Sequence, residues 1–303
     1  MPREEKKVQI RRRKKRVVPC DKLSSKLFSF PPEEFAAIIN NKEECGCREG
    51  FKNGKKIVTP YWLKLIGEYE SLLPPEPFDR EVLFACISAY EQGKKFVTVR
   101  TTLHDLSGGN QTRVRKEQFA AIRDAFNKLM SLRIEIDLEP LLKAYPKYKA
   151  NHKGGKRLVG TLLPCQYIED KTKRQQILMV ELLGESPLMT VAKVKNQILC
   201  YDATPLDIAG QNNTQGIITV KNWLLRRIEQ IGGSKKRKRG LNSSILFDTL
   251  YAECGLADAS KESKRNARKA ITDILSAFKA EGVIREFEFE REGQRYRAIK
   301  VFI

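Results

Sequence analysis

Read from residue 77 onward, apolar positions switch repeatedly between helical and alternating periods. In PFDREVLFACISAYEQGKKF, Val82, Cys86, Ala89 and Tyr90 keep helical spacing, and Gly93 ends the pattern. FVTVR (96–100) then alternates as a short strand, and TTLHDLSGG reads as a short helix or turn opened by a Thr cap. RVRKEQFAAIRDAFNKLMSL places Phe119, Ile122, Phe126 and Leu129 on one face of a long helix, and RIEIDL follows as a strand. RLVGTLLPCQYI and QQILMVELL flank a polar loop and predict a hairpin, and NQILCYDATPL offers a further strand. TQGIITVKNWLLRRIEQIGG predicts a helix ending at Gly232–Gly233.

The last seventy residues repeat that plan. SSILFDTLYAECGL reads as an amphipathic helix carrying Ile245, Leu246, Leu250 and Tyr251, and LADASKES as a turn or short helix. KESKRNARKAITDILSAF is a long helix with an apolar stripe at Ala267, Ile271, Ile274 and Phe278. IREFEFERE and QRYRAIKVFI alternate around Gly293 as a terminal hairpin. Helix, short helix, long helix and hairpin, twice over, predict an α+β chain of two tandem winged-helix domains. The expected layout is a basic disordered tail at 1–20, an N-terminal extension of uncertain fold at 21–75, a first winged-helix domain at 76–232 and a second at 233–303. Within the extension, SFPPEEFAAIIN suggests a short helix, KKIVTPYWLKLIG a strand or partly buried segment, and ESLLPPEP a linker.

Charge sharpens this picture. The formal net charge of the 303 residues is +20. Residues 1–20 hold nine Lys/Arg against two Asp/Glu, and residues 234–269 hold ten against four. Such blocks favour a polyanion, most commonly nucleic acid. On the helix beginning at Lys261, the cations Lys261, Lys264, Arg265 and Arg268 fall within about 100° of one another, on a sector distinct from the apolar stripe. Lys269 and Asn266 lie beside them. A recognition helix needs this division: one face seated in a core, and an N-terminal half presenting Arg to guanine, Asn to adenine and Lys to phosphate. Arg295 and Arg297 on the hairpin, and the run Lys235, Lys236, Arg237, Lys238 and Arg239 before it, extend the candidate DNA surface. Arg113, Arg115, Lys116 and Arg123 give the first domain a sparser basic face.

Other chemistry is missing from the pattern. Only two histidines exist, His104 and His152, too far apart for the His-hydrophobic-His site of a rolling-circle nicking enzyme. EGFKNGKK lacks P-loop spacing, and Cys45-Gly-Cys47 has no second well-spaced pair to complete a zinc site. No catalytic residues, metal or cofactor are therefore expected. Seven cysteines at irregular spacing, no secretory h-region and no run of about 18 apolar residues favour a reducing, cytoplasmic setting away from membranes.

Over roughly residues 76–303, the chain resembles the plasmid replication initiator (Rep) proteins built from tandem winged helices. The resemblance lies in LFSFPPEEF, FDREVLFACISAY, NQTRVRKEQFAAIRDAFNKLMSLRIEID and ASKESKRNARKAITDILSAFKAEGVIREFEFEREGQRYRAIKVFI. It implies that the helix carrying Lys261, Lys264, Arg265, Arg268 and Lys269 is the main DNA reader. It also implies that the first domain serves dimerisation and auxiliary DNA contact. A theta-type initiator of this kind binds repeated origin sites in double-stranded DNA, promotes local opening and recruits the host helicase and initiator proteins. Dimers act as repressors and monomers as initiators. The basic tail is an addition to that pattern, and no leucine-zipper-like run marks a dimer surface. A transcriptional regulator using the same surface, and a replication enzyme with an unrecognised site, are the competing readings.

Overall fold

The computed structural model describes residues 14–29, 35, 43–52, 55–66, 74–108, 114–151, 155–171, 176–207, 213–236 and 243–303. The architecture is α+β. Its first recurring unit comprises α2 (Pro77–Glu91, α1 being the short helix Lys22–Lys26), β4 (Phe96–Thr98), α3 (Val99–Ser107) and α4 (Lys116–Ser131), closed by the hairpin β7 (Cys165–Lys171) and β8 (Gln176–Leu182). Its sheet has the order β4-β8-β7. The second unit comprises α7 (Gln215–Lys236), β10 (Ser244–Leu246), α8 (Phe247–Glu253) and α9 (Lys261–Ala280), closed by β11 (Glu286–Glu292) and β12 (Arg295–Phe302). Its sheet has the matching order β10-β12-β11.

In each unit the short strand runs straight into a helix. FVTVR is therefore strand only to Thr98. The Thr98 hydroxyl accepts from the Thr101 amide at 3.1 Å, while Thr101 Oγ1 accepts from the Thr98 amide at 2.8 Å. This reciprocal cap starts α3 at Val99. SSILFDTLYAECGL divides the same way, into β10 and α8, because Ile245 must pair with Ile299 across the sheet.

Between α4 and β7 the first unit carries an insertion of β5 (Arg133–Asp137), α5 (Glu139–Ala144) and β6 (Arg157–Thr161). RLVGTLLPCQYI is thus broken at Leu162–Pro164 into strands of different sheets. The N-terminal extension supplies β2 (Glu43–Lys52) and β3 (Lys55–Ile66), giving a sheet of order β2-β3-β5-β6 in which Leu63 pairs with Ile136. The segment expected to be of uncertain fold is therefore joined to the first unit by a strand ladder.

Two further expectations are corrected. Within the stretch expected to be a disordered tail, Lys15–Pro19 forms β1, antiparallel to β9 (Ile198–Asp202). Val18 and Arg16 are buried there. Residues 1–13 lie outside the described residues. The helix expected to stop at Gly232–Gly233 runs on to Lys236 as α7. Glycine in a helix interior costs about 1 kcal/mol, but Leu224, Leu225, Ile228 and Ile231 bury one long stripe that leads up to the pair, and a Cβ added at Gly232 would meet the Ile303 side chain at 3.6 Å. A further helix, α6 (Pro187–Lys195), links β8 to β9.

The turn from α3 towards α4 is fastened from outside. The last carbonyls of a helix have no partner within it. Here those of Asp105, Leu106, Ser107 and Gly108 accept, in order, from Arg16, Asn222 Nδ2 (2.8 Å), Lys221 Nζ (2.9 Å) and Lys14 Nζ (2.9 Å). Two donors come from the β1 end of the chain and two from α7. Burial pushes the Lys221 ammonium down to a pKa of about 8, with Asp207 opposing the shift.

Among the described residues, Cys86, Cys165, Cys200 and Cys254 are free thiols, no cluster of three metal-ligating side chains forms, and no helix is long and apolar enough to cross a membrane. Cys45 and Cys47 lie on β2, where side chains are outside the described residues.

Candidate nucleic-acid interface

Helix α9 begins at Ser260, whose hydroxyl accepts from the Ser263 amide at 3.1 Å. Ile271, Ile274, Leu275 and Phe278 are fully buried, and Ala267 is half-buried above them. This is the expected stripe with Leu275 added. It seats the helix and leaves its first two turns standing clear of the core.

The cations of those turns separate into two sets. Lys261, Arg265, Asn266 and Lys269 are exposed. Among the described residues, the carboxylate near Arg265 is the loose neighbour Glu262 at 3.8 Å, itself 75% exposed, a type of pair worth about 0–1 kcal/mol. Lys261 and Lys269 have no carboxylate within 4 Å among the described residues. The other two cations turn inward. Lys264 donates to the Ala257 carbonyl and sits 5.6 Å from the Tyr251 ring centroid. Arg268 lies 5.2 Å from the Tyr296 ring and donates to the Tyr251 hydroxyl at 3.3 Å. Both fall in the predicted basic sector, but their long stems reach aromatic rings of α8 and β12.

Tyr296 also receives Arg291, 4.5 Å from its centroid, with Nη2 donating to its hydroxyl at 2.7 Å. One ring therefore meets a guanidinium from the helix and one from the hairpin. Each such contact contributes about 0.5–2 kcal/mol depending on solvation. The stack sets the hairpin tip against α9. Sequence reasoning missed this role of Arg291 and Tyr296, although a Tyr on the core face of QRYRAIKV, between two arginines, was the available signal. Gly293 turns the tip at φ +60°. Arg295 and Arg297 are exposed beside it, Arg297 with Glu292 at 4.0 Å.

The opposite face of this sheet carries its glutamates. Phe287 and Phe289 pair with Val301 and Ile299 on the core side, which puts Glu286, Glu288 and Glu290 outward. Cations stand among these carboxylates: Lys300 is in register with Glu288, and Lys279 of α9 pairs with Glu286. Among the described residues, exposed cations that lack a close carboxylate stand at the start of α9.

In the first unit, Arg115 is the exposed N-cap position of α4 and Lys116 its exposed first residue. Arg123 is half-buried with Asp124 at 3.3 Å. Lys128, on the same helix, is drawn to Asp79 (3.3 Å) and Glu76 (3.4 Å) at the start of α2. Arg113 and Arg237, Lys238 and Arg239 lie outside the described residues. Lys235 and Lys236 are in the last turn of α7, and their side chains are not described. The structure therefore brings Lys261, Arg265, Asn266, Lys269, Arg295 and Arg297 onto one unit. It places Arg115 and Lys116 on the other.

No protein-family profile matches the chain. No curated protein matches it. Among solved structures, domains 2 and 3 of RctB are similar over 86% of this chain and 90% of that chain, at 10% identity and a TM-score of 0.39. A superposition at that score does not define a shared fold.

Proposed function

We propose that the chain is a non-enzymatic, sequence-specific double-stranded DNA-binding protein of the replication-initiator type, built from two winged-helix modules that share α7. The reading is carried by one observation. Lys261, Arg265, Asn266 and Lys269 face outward in the first turns of a helix whose other side is buried, on the same module as the exposed Arg295 and Arg297 of the hairpin. The strand orders β4-β8-β7 and β10-β12-β11 support the module type.

The mechanism follows from that placement. The N-terminal turns of α9 enter the major groove, with Arg265 donating to guanine O6 and N7 and Asn266 reading adenine. The exposed amides of the helix start favour phosphate there. Lys261, Lys269, Arg295 and Arg297 hold phosphates and set the register, and their neutralisation makes affinity fall steeply with salt. Arg115 and Lys116 add phosphate contacts from the first module. Lys264 and Arg268 act as braces of the reading surface.

The initiator role draws on the sequence resemblance. In it, the chain binds repeated origin sites, strains the adjacent duplex at a cost of about 1–6 kcal/mol, and engages host helicase and initiator proteins, with a dimer as its repressor form.

Binding selection from random duplexes tests the reading. A sharp preferred motif that recurs in tandem beside the gene supports an initiator. A single palindromic copy at the promoter alone points to a transcriptional regulator. Binding without sequence preference refutes both.

A further inference from the structure

The two modules meet at more than the shared helix. Arg80 of α2 is fully buried, and its guanidinium reaches into the second module. Nη1 donates to Glu253 Oε2 at 2.6 Å and Nη2 to the Glu253 carbonyl at 2.9 Å, so a residue of the first module caps the C-terminus of α8. Arg80 Nε turns back to Glu81 Oε1 at 3.2 Å. Glu81, also fully buried, accepts both amino groups of Arg226 from the middle of α7. Burial alone would raise the Glu81 carboxyl, but Arg226 and Arg80 hold it below its ordinary range. Beside this cluster, the turn after α8 rests on the start of α2. A Cβ added at Gly255 would meet the Pro77 ring at 3.4 Å.

The placement matters because α7 is a single rod common to both modules. Ile218 and Leu224 lie in its first half, while Gly232 of its second half faces Ile303 of the second module. One shared rod leaves bending and rolling at the junction. A second contact away from the rod axis removes both. Arg80 and Glu253 supply that contact, next to the point where Arg226 ties α7 to α2.

Resting on the DNA-binding reading above, we propose that Arg80 and Glu253 are positioning residues that lock α4 and α9 at one relative phase, so that the chain accepts its two half-sites at a single spacing on the duplex. The charge arithmetic makes the lock breakable. Arg80 and Arg226 are matched by Glu81 and Glu253, and Arg227 adds another cation near Glu253. Without Glu253, three cations share one carboxylate. A buried charge left without its partner is relieved by admitting water, and the place for water to enter is the module junction. Glu253 itself is at the rim, with 19% of its side chain exposed, so its replacement leaves each module's own core intact.

The first arm of the test uses no DNA. Spin labels introduced through an unnatural amino acid at Lys116 and Lys261, one exposed site per module, report the inter-module distance in the full chain. A narrow distribution is expected for the wild type, with at least a twofold broader one for Glu253→Ala and for Glu253→Gln, while circular dichroism shows both variants folded. Equal widths overturn the lock. The second arm titrates the selected duplex against the same duplex with five base pairs, half a helical turn, inserted between the half-sites. The wild type should lose at least tenfold in affinity on insertion and Glu253→Ala less than threefold. An equal penalty in both overturns the spacing role even if the distances broaden. A wild type that prefers no duplex refutes the DNA-binding reading and the spacing role with it, and the distance distributions then judge the lock alone.

Discussion

Gly108 is the residue whose replacement the structure makes most costly for its size. It ends α3 at φ +92°, and an added Cβ would lie 2.1 Å from the Leu206 carbonyl carbon and 2.2 Å from the Asp207 nitrogen. Both are backbone atoms, so no side chain can swing away. Gly93, after α2, is a built-in control: its φ is +76°, and nothing lies within 4 Å of an added Cβ. Gly93→Ala should therefore show the left-handed backbone penalty alone, about 1–2 kcal/mol. Gly108→Ala adds overpacking, typically about 1–3 kcal/mol, for a total of about 2–5 kcal/mol. That is a large share of the roughly 5–15 kcal/mol by which a domain is stable. Shifting Leu206 also disturbs its carbonyl, which accepts from Lys221 at 3.1 Å, and with it the fastening of the turn that leads to α4. Urea denaturation of the two variants, followed by far-ultraviolet circular dichroism, measures the difference directly. Gly108→Ala should lose at least about 1 kcal/mol more than Gly93→Ala. Equal losses would refute the close approach of the α3 end to the 204–207 turn.

Other outcomes follow from the same contacts. The Lys221 ammonium should lose its proton near pH 8 in the folded chain and near 10.5 in the unfolded one, as read from its ε-carbon chemical shift. Between those values the unfolded chain binds the extra proton, so stability should rise with pH by up to roughly 3 kcal/mol at about 1.4 kcal/mol per unit, and the rise should vanish in Lys221→Met. Phe278→Ala should destabilise the fold by about 3–5 kcal/mol because Phe278 is fully enclosed, while Lys269→Ala should change thermal stability by less than about 0.5 kcal/mol. Tyr296→Leu should raise hydrogen exchange across 291–297 at the hairpin tip, because it removes the ring that Arg268 and Arg291 share; unchanged exchange would mean the stack does not order the tip.

What the sequence disclosed and what it hid have physical reasons. The stripe of α9 was legible because Ile271, Ile274 and Phe278 keep a 3.6-residue period with no competing signal. The terminal hairpin was legible because EFEFERE alternates cleanly. The burial of Arg16 was not. Its run of cations reads as solvated, and its partners, Asn222 and the Asp105 carbonyl, are remote in sequence. Gly232–Gly233 looked like a helix end because local propensity opposes what packing along α7 enforces. Lys264 and Arg268 share the angular sector of Arg265, and only the position of Tyr251 and Tyr296 separates bracing from presentation. The lock between Arg80 and Glu253 joins residues 173 apart in sequence, and neither has a local signature.

The central claim is that the outward cations of α9 meet DNA and the glutamate-bearing face of the sheet does not. The direct measurement is the salt dependence of affinity for the selected duplex, in a triple variant with Lys261, Arg265 and Lys269 changed to Ala and in a second with Glu286, Glu288 and Glu290 changed to Gln. Two lost phosphate neutralisations, at Lys261 and Lys269, should flatten the log–log salt slope by about 1.8 in the first variant, and the preferred sequence should weaken with Arg265. The glutamate variant should keep both slope and preference. A triple variant with the wild-type slope and motif would contradict the account and place the nucleic-acid surface elsewhere on the chain.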